Sequence, residues 1–183
     1  MNEERGRTLI EQMSNGNEQA LIEFYRTFEA RMYAFALSRL NDPHEAADIL
    51  NEVMWDIWRG AGHYEGRSPV LNWVFGIMHH KVMDRFRARG KHKTEELDPE
   101  MPDEPILTLE DVVNEKQEGK HLRHCLEKLS DVHREVVHLA FFEDLSQKMI
   151  SDIISCPEGT VRARMFYAKR TLKRCLEKCM NRE

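Results

Sequence analysis

The stretch LSQKMISDIISCPEGTVRARMFYAKR, residues 145–170, decides the fold class. Ser146 is a helix-capping residue, and Ile150, Ile153 and Ile154 after it recur at helical spacing, which predicts a short helix. Ser155-Cys156 interrupts the pattern, and Pro157 opens a second helix, because proline is tolerated at the first helical position. Val161, Met165, Ala168, Leu172, Leu176 and Cys179 share the predicted buried stripe of that helix, and Arg162, Phe166, Lys169, Arg170, Lys173 and Arg174 share its outward face. Two helices joined by a turn of about three residues, the second one basic, form a helix-turn-helix. At the start of such a second helix, Glu158 can accept from a cytosine amino group and Thr160 can touch a phosphate or a thymine methyl. Gly159 lies in the same turn, Arg162 and Arg164 can donate to guanine or phosphate, and Lys169 and Arg170 follow on the basic side. Taken alone, the same pattern also describes an ordinary amphipathic helix with a solvated basic face.

Upstream, Leu122, Leu126 and Leu129 form one apolar stripe; Ser130 caps the next helix, whose stripe is Val132, Val136 and Leu139. Residues 91–118 show no period. From Thr94 to Glu118 there are ten acids against the single base Lys116, with prolines at 99, 102 and 105, which predicts a flexible acidic linker with one short turn near Leu109 to Val113. Before it, Asp42-Pro43-His44-Glu45 carries an N-cap acceptor and a proline at the first turn. The helix that follows, to about Arg59, places Ala46, Ile49, Leu50, Val53 and Ile57 inside and Asp48, Asn51, Glu52 and Trp55 outside. Gly60, Gly62 and Gly66 break the chain, and Ser68-Pro69 caps a helix to about Arg89 that buries Val70, Val74, Ile77 and Met78. Glu18 to Leu40 has Leu21, Phe24, Tyr25, Phe28 and Met32 at helical spacing. The expected fold is all-α: two small helical domains, residues 1–93 and 119–183, joined by the linker 94–118.

The bulk numbers agree, with 41% hydrophobic and 32% charged residues in 183. The first residues lack a signal peptide and no apolar run is long enough to span a membrane, so a cytoplasmic protein without membrane insertion is expected. The cysteines at 125, 156, 175 and 179 lack knuckle spacing and are expected to be reduced structural thiols. His121, His124 and Cys125 share a helical face, and Cys175 and Cys179 are four apart, a spacing able to ligate zinc. The thiols fall on or near apolar stripes, however, so no metal and no cofactor are expected. Without a phosphate loop or a nucleophile with its base, neither is catalysis.

Net charge is −5, yet the charge is segregated. Arg67 to Lys93 holds seven bases against Asp84 alone. There Tyr64, Trp73, Phe75 and Phe86 stand among Arg67, His79, His80, Lys81, Arg85, Arg87 and Arg89, the combination of stacking surface and backbone-tracking charge that unpaired bases need. Trp73 itself is assigned to the core.

Three motifs resemble the extracytoplasmic-function (ECF) sigma factors of bacterial RNA polymerase. Glu45-Ala46-Ala47-Asp48-Ile49-Leu50-Asn51-Glu52-Val53 is similar to that family's acidic helix. Trp73-Val74-Phe75-Gly76-Ile77, followed by Asp84-Arg85, resembles its minus-ten helix. Leu129 to Leu172, with Arg134, Leu145-Ser146 and Cys156-Pro157-Glu158-Gly159-Thr160-Val161, resembles its minus-thirty-five domain. The resemblance implies a factor that directs promoter-specific initiation and is controlled by an anti-sigma factor. Its partners would be promoter DNA and core RNA polymerase, through the clamp helices and the flap. It implies core binding by Asp48, Asn51, Glu52 and Trp55. Minus-ten contacts fall to Tyr64, Arg67, His79, His80, Arg85 and Arg87, with the loop Gly62 to Arg67 capturing a flipped base. Minus-thirty-five contacts fall to Glu158, Gly159, Thr160, Arg162, Arg164, Lys169 and Arg170. The chain departs from the family at His80, commonly asparagine, at Met149-Ile150-Ser151, and at Ser155, where a turn glycine is usual. A stand-alone helix-turn-helix regulator is the alternative; it leaves the Asp48 to Trp55 face without a role.

Overall fold

The computed structural model describes residues 3–90 and 118–180, and every regular element among them is helical. Residues 94–117 of the expected linker 94–118, its turn at Leu109 to Val113, and the basic residues Lys91 and Lys93 lie outside the described residues, while Glu118 begins a helix. Those described fall into two compact units, one built from the helices before the linker together with Asp152–Ser155, the other from the remaining residues.

The first unit begins with a helix the sequence pattern did not reveal, α1 (Glu3–Ser14), which buries Leu9, Ile10 and Met13. Then come α2 (Glu18–Leu40), α3 (Pro43–Gly60), a short 3-10 turn (Ala61–His63) and α4 (Val70–Ala88). Asn17 caps α2 by accepting from the Ala20 N–H at 3.2 Å. The helix stops at Asn41, whose φ of 53° lies in the left-handed region that asparagine tolerates. Asp42 accepts from the N–H groups of His44 (2.9 Å) and Glu45 (3.1 Å) and so starts α3 as expected. The expected inner stripe of α3 is buried, with Met54 added to it. In the core, Phe35 of α2 meets Phe75 of α4 edge to face, with ring centroids 5.5 Å apart.

Two expectations for α4 are corrected. Ile77 is only half-buried, while Phe75, Val82 and Phe86 join Val70, Val74 and Met78 in the core. The helix is also not capped by Ser68. Pro69 occupies the cap position without a side-chain bond, and the Val70 N–H donates to both carboxylate oxygens of Glu3 at 3.1 Å. A residue 67 positions away supplies the acceptor that a local cap usually provides.

The second unit contains α5 (Glu118–Glu127), α6 (Asp131–Phe141), α7 (Gln147–Ile154) and α8 (Glu158–Met180), apart from the residues grouped with the first. Arg134 is buried in α6 and donates to the carbonyls of Leu126 (3.1 Å), Glu127 (2.9 Å) and Leu129 (2.9 Å), which satisfies the end of α5. Ser146 Oγ accepts from the Met149 N–H at 3.2 Å, the expected cap of α7. The helix-turn-helix turn is Ser155-Cys156-Pro157. Ser155 adopts φ 51°, taking the left-handed conformation without a glycine. Ser151 Oγ donates to the Cys156 carbonyl at 2.6 Å and pins this turn. Val161, Met165, Ala168, Leu172 and Leu176 are buried along α8 as expected, and Cys179 is half-buried. The expectation of reduced thiols is corrected: Cys125 and Cys175 form a disulfide. They are 50 residues apart, and only the packing of α5 on α8 brings them together.

Candidate nucleic-acid and partner interfaces

The outer face of α3 presents Asp48, Asn51, Glu52 and Trp55, all exposed, with Trp55 at 59%. So large an apolar ring in solvent has no folding role. Beside it runs a groove of about 470 Å³ between α2 and α3, floored by Leu21, Ile22, Tyr25, Met54, Trp55 and Trp58 and edged by Arg26, Glu29 and Asn51. The α2 side of this surface was missed by sequence reasoning. Leu21 and Tyr25 stand at helical spacing with Phe24, Phe28 and Met32, but both are only half-buried, and Ile22 is 43% exposed. An apolar groove beside an exposed aromatic suits the anchoring side chains of a protein partner.

The basic face of α4 turns out to be paired. Arg85 Nη2 donates to Glu52 Oε1 at 2.9 Å, and Lys81 Nζ lies 2.9 Å from Asp56 and 3.7 Å from Glu52. Arg89 pairs with Glu45, Arg87 with Asp84 at 2.7 Å, and Arg67 with Glu65. The hydrogen bond that the Lys81 ammonium donates to Asp56 holds its pKa above the ordinary lysine range, against a smaller opposing effect of burial. Among the described residues, the lopsided charge block seen along the chain is therefore balanced in space, largely by α3. The exposed pairs among them, Arg87–Asp84 and Arg67–Glu65, are worth about 0.2–1 kcal/mol, so a polyanion can displace those carboxylates.

His80 is exposed, and its Nδ1 lies 2.7 Å from the Gly76 carbonyl, which can only accept, so Nδ1 carries the proton and Nε2 faces outward as an acceptor in the neutral ring. His79 is half-buried, edge-on to His80 at 5.7 Å. Together with Asn72, Trp73, Gly76, Ile77 and Lys81, His80 lines a hollow of about 540 Å³. Trp73 is not wholly core as expected: it is half-buried and packs on Tyr64 at 4.9 Å. The Tyr64 hydroxyl donates to the Ser68 carbonyl at 2.6 Å. Burial, seconded by Glu3 and opposed by Arg7, raises its pKa. The hydroxyl is thus spent on its own loop. A second hollow of about 310 Å³, lined by Arg7, Ser14, Gly62, Tyr64, Glu65 and Gly66 among others, lies in the loop expected to capture one.

On α8, Glu158, Gly159, Arg162 and Arg170 are exposed, and Thr160 and Arg164 are half-buried. The Arg164 Nε is buried without a hydrogen-bond partner. Lys169 is corrected: it is buried, its ammonium 5.3 Å from the centroid of the Phe141 ring, so it packs α8 on α6 instead of facing outward. The Cys156 thiol in the turn is pushed up, chiefly by burial and further by Glu135, with Arg164 acting the other way.

Residues 24–92 match the Sigma-70 region 2 family, and residues 125–174 match the Sigma-70, region 4 family. An ECF RNA polymerase sigma factor SigK from Mycolicibacterium vanbaalenii is 28% identical over 176 residues, covering 92% of this chain and 87% of that protein. The SigK of Mycobacterium tuberculosis strain CDC 1551 is 23% identical over 172 residues, covering 92% of each. Among solved structures, the fold is shared with CnrH, solved with the cytosolic domain of CnrY (TM-score 0.68, 20% identity, 95% of this chain and 98% of that one). It is shared too with the sigma factor RpoE of Bartonella quintana, solved with the anti-sigma factor NepR (TM-score 0.62, 21% identity, 85% and 97%).

Proposed function

From the premise that this chain belongs to the sigma-70 family, as an ECF RNA polymerase sigma factor, we propose that it docks on core polymerase and steers it to a particular set of promoters. Asp48, Asn51, Glu52 and Trp55, with the groove floor from Leu21, Ile22 and Tyr25, receive the clamp helices. The region 1–93 then reads and opens the minus-ten element: Arg85, Arg87 and Arg67 follow the backbone, Tyr64 stacks, and His79 and His80 meet bases. The region 119–183 reads the minus-thirty-five element through Glu158, Gly159, Thr160, Arg162, Arg164 and Arg170, and contacts the flap. The acidic linker 94–118 joins the two. Lys169, being buried on Phe141, supports α8 and is withdrawn from the DNA-contacting set. CnrH was solved with the cytosolic domain of CnrY and RpoE with the anti-sigma factor NepR, and by analogy an anti-sigma factor holds this chain inactive until it is needed.

One observation carries the reading. The chain presents an exposed tryptophan on an acidic helix face beside an apolar groove, and separately a basic helix behind a helix-turn-helix turn. A stand-alone regulator has use only for the second. The test is reconstitution with core polymerase and mapping of transcript start sites. Start sites sharing two spaced elements support the proposal. Specific promoter binding by the purified chain at physiological salt, with no transcript directed by the mixture, refutes it.

A further inference from the structure

Three sulfur atoms, none used by the surfaces above, converge where α5 packs on α8. The Sγ atoms of Cys125, Cys175 and Cys179 all lie within 4.8 Å of one another. Cys125 is fully buried, Cys175 is 8% exposed, and Cys179 is half-buried. Cys175 and Cys179 stand one helical turn apart and project from the same face of α8, opposite Cys125 of α5. Cysteine is common in cores as a small hydrophobe, and one or two thiols here would need no further account. A third sulfur in the same cluster changes the chemistry available.

We propose that in its reduced form this cluster binds one soft divalent cation of the zinc type through the thiolates of Cys125, Cys175 and Cys179, and that the Cys125–Cys175 disulfide is the oxidised, metal-free state. Zinc holds thiolates at about 2.3 Å, which sets neighbouring sulfurs about 3.8 Å apart in a tetrahedral site. Sulfurs already within 4.8 Å reach that spacing by small side-chain rotations once the S–S bond is open. Three thiolates select a soft ion over magnesium or calcium. Burial supplies the driving force as well as the selectivity: thiolates without a counter-ion are costly in this interior, and the cation removes that cost while displacing the thiol protons. Water can supply the fourth ligand, since Cys179 is half-buried and not sealed from solvent.

Oxidation empties the site. With a peroxide as oxidant, the Cys125 and Cys175 sulfurs each give up one electron and join. The O–O bond breaks, and its two oxygens take the two electrons and two protons to leave as water when the oxidant is hydrogen peroxide. Two of the three ligands are then lost and the cation leaves. Both states tie α5 to α8, one by a covalent bond and the other by a metal.

The experiment uses the full chain, reduced and freed of metal under anaerobic conditions, then titrated with Co²⁺ as an optical probe and with Zn²⁺ in competition. Stoichiometric binding, a sulfur-to-cobalt charge-transfer band, proton release and a higher melting temperature are expected. Cys179→Ser, which keeps the Cys125–Cys175 pair intact, should weaken binding by about tenfold or more, at least the loss seen when mere supporting residues of metal sites are removed. Cys156→Ser, outside the cluster, should leave it unchanged. Hydrogen peroxide should abolish binding and a thiol reductant should restore it. Absence of the charge-transfer band overturns the proposal, as does an undiminished band in Cys179→Ser. Because promoter-directed transcription is not the readout, the result is independent of the proposed function.

Discussion

Arg85 on α4 donates to Glu52 on α3 at 2.9 Å, so a cation proposed for the promoter and a carboxylate proposed for the polymerase are one ion pair. The side chains are 30% and 46% exposed, which makes the pair a weak stabiliser and an easily opened one. In the proposed reading, engagement of Glu52 by the polymerase relaxes the attraction holding Arg85 and makes the guanidinium available to phosphate.

This relationship separates fold from function. The reversed pair Glu52→Arg with Arg85→Glu should keep the melting temperature close to that of the parent, with a stability change of about 1 kcal/mol or less. Co-purification with core polymerase should nevertheless be lost. Undiminished co-purification would remove Glu52 from the docking face.

Replacement of Glu3 tests the long-range cap. Glu3→Ala leaves the Val70 N–H without its acceptor and should cost about 1 kcal/mol, a typical cap loss, read as a lower midpoint in urea. Leu9→Ala in the same helix removes a fully buried side chain and should cost more, about 2–5 kcal/mol. Equal costs for the two variants would contradict the assignment of Glu3 as a cap and Leu9 as core.

Arg134 should be the most sensitive polar residue of the second unit. Arg134→Met strips three carbonyls of their donor and should destabilise by about 3 kcal/mol or more, seen in thermal melting of the whole chain. Arg134→Lys should rescue little, since one ammonium cannot reproduce the forked geometry. Full rescue by lysine would show that charge alone is needed there.

The residues proposed to contact DNA should divide by task. Arg162→Ala should lose about 1–3 kcal/mol of discrimination at one position of the upstream element. Tyr64→Ala, His80→Ala and Arg85→Ala should instead impair opening of duplex promoters and be partly rescued by a pre-melted template. An equal response of both groups to pre-melting would overturn the division.

Cys156 gives a pH-dependent readout. Its raised pKa means that alkylation in the native protein near pH 7 should be slower than for an unstructured cysteine, and should accelerate only at higher pH. The sign for stability follows. The unfolded chain loses this proton first, so the contribution is whole below about pH 8.5, the ordinary thiol pKa, and is lost as pH rises through the folded value. Native alkylation as fast as in urea at pH 7 would contradict the burial of this thiol.

Much of this architecture is local, and the sequence alone determined it. The stripes Ala46-Ile49-Leu50-Val53-Ile57 and Val161-Met165-Ala168-Leu172-Leu176 are buried because a period near 3.6 commits one helix face to the inside whatever partner it meets. The caps at Asp42 and Ser146 and the exposed Asp48, Asn51, Glu52 and Trp55 were legible for the same reason. The helix α1 was not, because Gly6 and a run of charges leave Leu9, Ile10 and Met13 as its only large apolar residues. The remaining features depend on which helix arrives beside which. Glu3 caps α4, Glu52 and Asp56 neutralise Arg85 and Lys81, Lys169 lies over Phe141, and Cys125 meets Cys175. Each is a contact between residues far apart in the chain, set by helix packing and not by spacing, and so only the tertiary structure could decide it.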